Sequence, residues 1–197
     1  MKLFFVKMKP WQLVLLLGLI YLIPLSIGFN WIYTNDETTD SDLGIRSIVF
    51  FFRGLGIMAI LVSAFLFLWK WSLGHYLYEL LPDKEEVNFK RFKLSLLIKF
   101  IFGLVWGLLF LTGYIFVILF ATGDTPYLVF LLIILYAITV FVFAKAHLFP
   151  YLASKAIKQE LPYRAITLSP FNLGFLRMIE LQKDVNEVYL KLDNSKK

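Results

Sequence analysis

The sequence predicts an all-α polytopic membrane protein with four transmembrane helices, both termini in the cytoplasm, and a cytoplasmic amphipathic helix at the carboxyl end. Three observations lead to this prediction: four long apolar runs, an uneven distribution of basic residues between the connecting segments, and a heptad-like pattern near the end of the chain. Of the 197 residues, 59% are hydrophobic and 17% are charged. A soluble domain usually has about 45–50% apolar and about 25% charged residues, so this composition is typical of a chain dissolved in lipid.

The apolar runs define the predicted spans, at residues 11–29, 48–69, 94–120 and 127–149. The shortest has 19 residues, close to the roughly 20 that cross a hydrocarbon core of about 30 Å. A backbone in lipid must satisfy its own hydrogen bonds, and the runs lack the alternation of a barrel strand, so we expect helices. Residues 1–149 are therefore the predicted membrane domain, and residues 150–197 a cytoplasmic helical tail.

Lysine and arginine residues set the predicted orientation. Sixteen of them fall in the amino-terminal tail, the second loop and the carboxyl-terminal tail, whereas the first loop has only Arg46 and the third loop has none. Cytoplasmic loops carry the excess of basic residues, so we expect both termini inside the cell. Short loops, this bias and the absence of cysteine favour a bacterial inner membrane.

The cytoplasmic tail carries an apolar seam. Its residues recur at intervals of three and four, as in a heptad pattern: Met178, Leu181, Val185, Val188 and Leu192. Two heptads are too short for a helix that is stable alone. The seam is therefore a candidate docking surface, and its occupant is the chain's own bundle, a second copy or another protein.

Four basic residues lie within or near the ends of the spans. Arg53 is about five residues inside the second span, where it either performs a function or extends its guanidinium outward to the headgroups. Lys99, Lys145 and His147 lie near the cytoplasmic side. They either reach the inner headgroups or line a shared vestibule that attracts anions.

Gly103 and Gly107 form a GxxxG pattern in the third span. Small residues four positions apart allow two helices to approach closely. The pattern predicts that this face of the third span packs either against another helix of the same bundle or against a second copy of the chain.

The residue inventory argues against several classes of function. There is no cysteine and there are only two histidines, so no metal site, catalytic group or cofactor is predicted. No Asp or Glu falls inside a span, which argues against a coupled transporter. The net charge is +6, but the basic residues are concentrated in the loops of one membrane side, so we expect no nucleic acid partner. We also do not expect an enzyme, because no acid, base or nucleophile is placed for catalysis.

Two functions remain. The first is a non-enzymatic accessory or interaction protein: a small subunit, an assembly factor or a guard of another membrane protein. The alternative is a homo-oligomeric pore or membrane-perturbing effector. Both predict the lipid bilayer and either a protein partner or a second copy as contacts. In architecture alone, this small basic chain with four predicted spans and both ends inside resembles the immunity proteins that protect bacteria from pore-forming toxins. The resemblance implies a guarding role.

Overall fold

The computed structural model describes residues 2–34, 40–82, 84, 87–112, 125–166 and 174–194. Within this part of the chain every regular element is a helix, so the all-α prediction is confirmed there. The elements in chain order are α1 Lys2–Lys7, α2 Pro10–Thr34, α3 Asp40–Leu80, α4 Phe89–Leu111, α5 Thr125–Val142, α6 Ala144–His147, α7 Phe149–Gln159, a short 3-10 turn Tyr163–Ala165, and α8 Gly174–Asn194.

Two of the long helices begin at side-chain caps. The backbone N–H of Lys9 donates to Oε1 of Gln12 at 2.8 Å, which is half of a capping box, and Pro10 occupies the first helical position. At the start of α4, Oδ1 of Asn88 accepts from the backbone N–H of Arg91 at 3.0 Å. Asparagine is a favoured residue at this position because its oxygen satisfies an amide that has no partner inside the helix.

Three segments are long and apolar enough to cross a membrane, namely Pro10–Ile27, Val49–Leu80 and Phe89–Leu111. They match the first three predicted spans in place and indicate an integral membrane protein. The third prediction extended to residue 120, and its residues beyond 112 lie outside the described part of the chain.

The fourth predicted span corresponds to two helices. α5 ends at Val142, a turn follows at Phe143, and α6 occupies Ala144–His147. The continuous run predicted for residues 127–149 is therefore interrupted. Since α5 is not among the three candidate spans, the count of four crossings stays a prediction.

α3 is much longer than its predicted span at residues 48–69. Its 41 residues extend about 60 Å at a rise of 1.5 Å per residue, twice the thickness of a hydrocarbon core. No proline interrupts the helix before Pro82, and Leu73, Leu77 and Leu81 recur every fourth residue and are buried. Lys70, one of the basic residues counted with the second loop in the sequence, belongs to this helix. The aromatic residues after position 69 indicate a second helix that continues until before Pro82, as it does here.

The chain divides into two compact units. The first comprises residues 1–16, 66–97 and 143–197, and the second comprises residues 17–65 and 98–142. The first unit has a buried core to which its separate chain segments contribute Val6, Trp69, Leu73, Phe92, Phe149 and Val185, among others. Stacked rings of Tyr78 and Phe89, with centroids 4.2 Å apart, extend this core.

The second unit exposes many large apolar side chains. Leu22, Phe130 and Phe141 are 66%, 67% and 84% exposed. Such a surface would be unfavourable in water, and it is the surface expected of helices that face lipid tails.

Candidate functional site

A buried amide network joins the amino-terminal and carboxyl-terminal helices within the first unit. Nε2 of Gln182, on α8, donates to the carbonyl oxygens of Phe5 at 2.9 Å and Met8 at 2.7 Å. Oε1 of Gln182 accepts a 2.8 Å hydrogen bond from Nε1 of Trp69, on α3. Asn186 donates to the same carbonyl of Met8 at 3.2 Å. We call Gln182, Asn186 and Trp69 the amide latch.

The latch compensates for the shortness of α1. A helix leaves its last carbonyl groups without intrahelical donors, and α1 has only six residues, too few to be stable alone. Gln182 supplies the missing donors, and its side chain has no solvent exposure. A buried amide is favourable only when its hydrogen bonds are made, so the latch fixes the relative positions of α1, α3 and α8.

A ladder of ion pairs holds α7 against α8. The charge ladder consists of Lys155 and Lys158 on α7 and of Glu180, Asp184 and Glu187 on α8. Lys155 contacts Glu180 at 2.6 Å and Asp184 at 3.0 Å, and Lys158 contacts Asp184 at 2.9 Å and Glu187 at 2.7 Å. The side chain of Asp184 is only 3% exposed. An acid this buried is stable as an anion only with close cations, so the ladder fixes the register of the two helices.

The charge ladder keeps both lysines protonated. Burial lowers the pKa of Lys155, but the hydrogen bonds with Glu180 and Asp184 outweigh it and raise that pKa above its ordinary value. Hydrogen bonds to Glu187 and then to Asp184 raise the pKa of Lys158. A lysine whose pKa rises on folding loses its contribution to stability only at alkaline pH, so Lys155 and Lys158 keep their positive charges throughout the physiological range.

A second group of basic side chains surrounds Tyr151. Nζ of Lys70, on α3, lies 2.8 Å from Nε2 of His147, on α6. The same Nζ is 5.6 Å from the centroid of the Tyr151 ring, and Cζ of Arg177 is 5.9 Å from it. Burial raises the pKa of Tyr151 to about 12, partly opposed by Arg177. We call Lys70, His147, Tyr151 and Arg177 the basic cluster.

A cleft of about 190 Å³ opens beside the charge ladder. Its lining combines apolar and charged side chains, namely Leu80, Ile157, Lys158, Glu160, Glu187, Val188, Lys191 and Leu192. A cavity of about 150 Å³ is enough to bind benzene. The cleft therefore has room for one large apolar side chain, with ionic groups at its edge.

The four basic residues predicted as intramembrane candidates are divided between the two units: Arg53 and Lys99 belong to the second, and Lys145 and His147 to the first. Arg53 is exposed and its Cζ lies 5.5 Å from the centroid of the Phe50 ring. Lys99 is half-buried on α4, and Lys145 belongs to α6, with a side chain that lies outside the described part. Of the three residues considered for a vestibule, only His147 has a described contact with another basic group, and that group is Lys70.

The predicted docking seam lies on the face of α8 that packs against α1 and α7. Leu181, Val185 and Val188 are at most 4% exposed, so the chain's own helices cover the middle of the seam. Met178 is half-buried. Leu192 is 37% exposed and lines the cleft, which makes it the residue of the seam that is most accessible to another molecule.

The predicted glycine face lies against α3. A Cβ on Gly103 would collide with the side chain of Ser63, and one on Gly107 would collide with Ile60 and approach the carbonyl oxygen of Gly56 at 3.0 Å. Both glycines therefore take part in packing within the second unit. At Gly56, which was not in the predicted face, an added Cβ would collide with backbone atoms of Gly107 and Leu111 on α4.

Sequence reasoning missed the amide latch and the charge ladder. Gln182 and Asp184 adjoin the apolar seam, and a polar residue beside a seam is ordinarily solvated, so neither gave a signal. Glu180, Asp184 and Glu187 do share one face of a helix at intervals of four and three. Lys155 and Lys158 are three residues apart on α7. The similar spacing of the acidic and the basic residues is the sequence signal that could have indicated the ladder.

Comparison with known proteins gives no assignment. The chain matches no family model, and no similar curated protein or solved structure was found. In the described part of the chain, no three His, Asp or Glu side chains lie close enough to hold a metal ion.

Proposed function

We propose that this chain is a non-enzymatic accessory protein of a membrane, which anchors a rigid helical platform and uses the cleft beside the charge ladder to hold a partner protein. The platform is the first unit of the chain. The cleft carries this proposal, because it is an open site with apolar and charged side chains in its lining, at a place where ion pairs hold α7 against α8. A small subunit, an assembly factor and a guard of another membrane protein would all use such a site.

The lining of the cleft indicates the chemistry of the partner. Ile157, Val188 and Leu192 supply apolar contact, and the volume of about 190 Å³ suits a single aromatic or branched aliphatic side chain. Lys158 and Glu187 pair with each other at 2.7 Å. We therefore propose a polypeptide partner that inserts one large apolar side chain and presents polar groups to the rim, in the manner of an anchor residue in a pocket.

A matched pair of substitutions on α8 tests this site. Leu192→Glu places a charge in the lining of the cleft, whereas Leu190→Glu places the same charge two residues away, at a leucine that is 57% exposed and is not part of the lining. Desolvating a carboxylate inside an apolar contact is costly. We expect the first variant to lose at least about tenfold in partner recovery and the second to retain it.

The measurement is the composition and mass of the complex purified in mild detergent from the native host, with a tag at the amino terminus. A stoichiometric foreign protein that is lost only with Leu192→Glu would support the proposal. Equal recovery with both variants would contradict the cleft as the docking site. A pure homo-oligomer would contradict the accessory role and favour a pore or membrane-perturbing effector.

We also propose four crossings of a bacterial inner membrane with both termini in the cytoplasm, and the alternation of the chain between its two units supports the even number of crossings. The amino-terminal segment, residues 66–97 and the carboxyl-terminal segment belong to the first unit, and residues 17–65 and 98–142 belong to the second. Each of these two intervening segments leaves the first unit and returns to it, so each would contribute a pair of crossings. The three segments of the first unit are also those with the excess of lysine and arginine.

Cysteine labelling tests this topology directly, because the natural chain has no cysteine. We expect Ser41→Cys to react with a membrane-impermeant maleimide in intact cells. Lys9→Cys, Lys90→Cys and Lys191→Cys, at exposed positions of the first unit, should react only after permeabilisation. The parent chain is the unlabelled control. Labelling of Lys9→Cys and Lys191→Cys from opposite sides would contradict an even number of crossings.

A further inference from the structure

One face of α4, in the part of this helix that belongs to the first unit, changes from basic to apolar along the chain. The spacing i, i+3, i+4 and i+7 places four residues on one side of a helix, and here they are Lys90, Lys93, Leu94 and Leu97. We call these four residues the graded face. Lys90 and both leucines are exposed. At a rise of 1.5 Å per residue, the two ends of the face are about 10 Å apart.

Aromatic rings position the second lysine of the graded face. Nζ of Lys93 lies 4.7 Å from the centroid of the Phe89 ring, on α4, and 5.4 Å from the centroid of the Trp71 ring, on α3. Both distances are within the range of cation–π attraction. Trp71 is itself exposed, and tryptophan is enriched where helices meet the boundary between membrane and water. The ammonium group is therefore held beside an exposed ring, at the boundary between the basic and the apolar parts of the face.

The positive charge of the graded face is unpaired within the described part of the chain. No carboxylate there forms an ion pair with Lys90 or Lys93, and the nearest preceding acidic residues, Glu85 and Glu86, lie outside that part. The candidate membrane span of α4 begins at Phe89. Both lysines are therefore at the end of an apolar segment, where lysine side chains reach lipid headgroups. A ligand that complements the face has an anionic group attached to a long apolar chain.

We propose that the graded face binds one anionic phospholipid, whose phosphate lies on its two lysines and whose acyl chain lies along its two leucines. Basic side chains attract lipids with a net negative charge. A zwitterionic lipid has the same phosphate, but its own cationic group competes with the lysines, so its binding is weaker. The exposed leucines pack against an acyl chain, which a soluble phosphate lacks. The site does not involve the cleft, so it can fail while the proposed accessory function holds.

Native mass spectrometry of the full chain, purified in mild detergent, measures this binding. The probes are phosphatidylglycerol, which is anionic, and phosphatidylcholine with the same acyl chains, which is zwitterionic. A lysine near an anionic lipid surface contributes about fivefold to binding, so two lysines should favour phosphatidylglycerol by at least about tenfold. Equal affinities for the two lipids would overturn the proposal without the use of any variant. Displacement of phosphatidylglycerol by an equal concentration of inorganic phosphate would also overturn it.

A matched pair of substitutions in α4 locates the site. Lys93→Gln removes one positive charge from the graded face. Arg91→Gln removes the same charge from an exposed residue that is about 100° around the helix from Lys90. We expect Lys93→Gln to lower the affinity for phosphatidylglycerol by about fivefold, and Lys90→Gln combined with Lys93→Gln to lower it by at least about tenfold. Arg91→Gln and the charge-conserving Lys93→Arg should retain it.

The remaining outcomes decide between a defined site and a general attraction of lipid to positive charge. An equal loss of affinity with Arg91→Gln and Lys93→Gln would overturn the graded face as the site, and so would full affinity in the double variant. The midpoint of thermal unfolding in detergent without added lipid is the control for folding. We expect it to be the same in the natural chain and in all variants, because the substituted side chains are at the surface of the first unit.

Discussion

Gln182→Leu is expected to destabilise the first unit by about 2–6 kcal/mol. The substitution keeps the volume and the burial but removes both halves of the amide. Nε1 of Trp69 loses its acceptor, and the carbonyl oxygen of Phe5 loses its donor. Leaving a buried polar group without a partner costs about 1–3 kcal/mol each, which gives this range for two groups.

The location of the damage is as informative as its size. The carbonyl oxygen of Met8 retains its bond from Asn186, so α1 should detach first at the turn around Phe5. We expect hydrogen exchange to increase across Lys2–Lys7, together with a lower midpoint of thermal unfolding in detergent. Gln159→Leu is the matched control, because Gln159 is exposed on α7 and its replacement should have little effect.

A double-mutant cycle separates the latch from a general loss of packing. Trp69→Phe removes the indole N–H that Gln182→Leu leaves without a partner, so the two substitutions together should cost less than the sum of their separate costs. Groups in one hydrogen-bond network typically show coupling of about 0.5–3 kcal/mol. Strict additivity, or equal effects of Gln182→Leu and Gln159→Leu, would contradict the latch.

Gly56→Ala is expected to separate α3 from α4 in the second unit. A Cβ at this position would lie 2.6 Å from the backbone nitrogen of Leu111, 2.7 Å from the carbonyl oxygen of Gly107 and 2.9 Å from Cα of Leu111. All three atoms belong to the backbone, so no side chain can rotate to make room. Overpacking of this kind typically costs about 1–3 kcal/mol.

The sign of the effect distinguishes steric collision from helix propensity. Alanine in a helix is favoured over glycine by roughly 0.5–1 kcal/mol. Gly18→Ala, in a span where nothing lies within 4 Å of the new Cβ, should therefore be neutral or slightly stabilising. Gly56→Ala should lower the midpoint of thermal unfolding by roughly 2–10 °C. Equal midpoints for the two variants would contradict a close approach at Gly56.

The presence of the apolar helices follows from local properties of the chain. A run of apolar residues in lipid has one way to satisfy its backbone, which is to form the hydrogen bonds of a helix within the same segment. Composition and run length therefore predicted apolar spans at residues 11–29, 48–69 and 94–120. These overlap the three candidate spans of the structure, at residues 10–27, 49–80 and 89–111. The helical tail was predicted for the same reason, since the seam from Met178 to Leu192 has the period of a helix.

The ends of the helices were less predictable, because a helix can extend beyond an apolar run or end within it. α3 continues beyond residue 69 to Leu80, since Leu73 and Leu77 have a buried surface to contact even where the sequence is no longer continuously apolar. The fourth run is broken at Phe143, although its hydropathy gives no sign of a turn. α3 ends two residues before Pro82, where a proline disfavours a continued helix. Nothing in the sequence of the fourth run marks the turn at Phe143.

The candidate site depends on contacts between residues that are far apart in the chain. Gln182 bonds to the carbonyl oxygen of Met8, and Lys70 contacts His147. No local pattern encodes such a pair, because each residue alone has the ordinary features of a solvated side chain. The physical reason is burial. A glutamine or lysine becomes a structural element only when the fold removes it from water and supplies its partner, and that requires the assembled first unit.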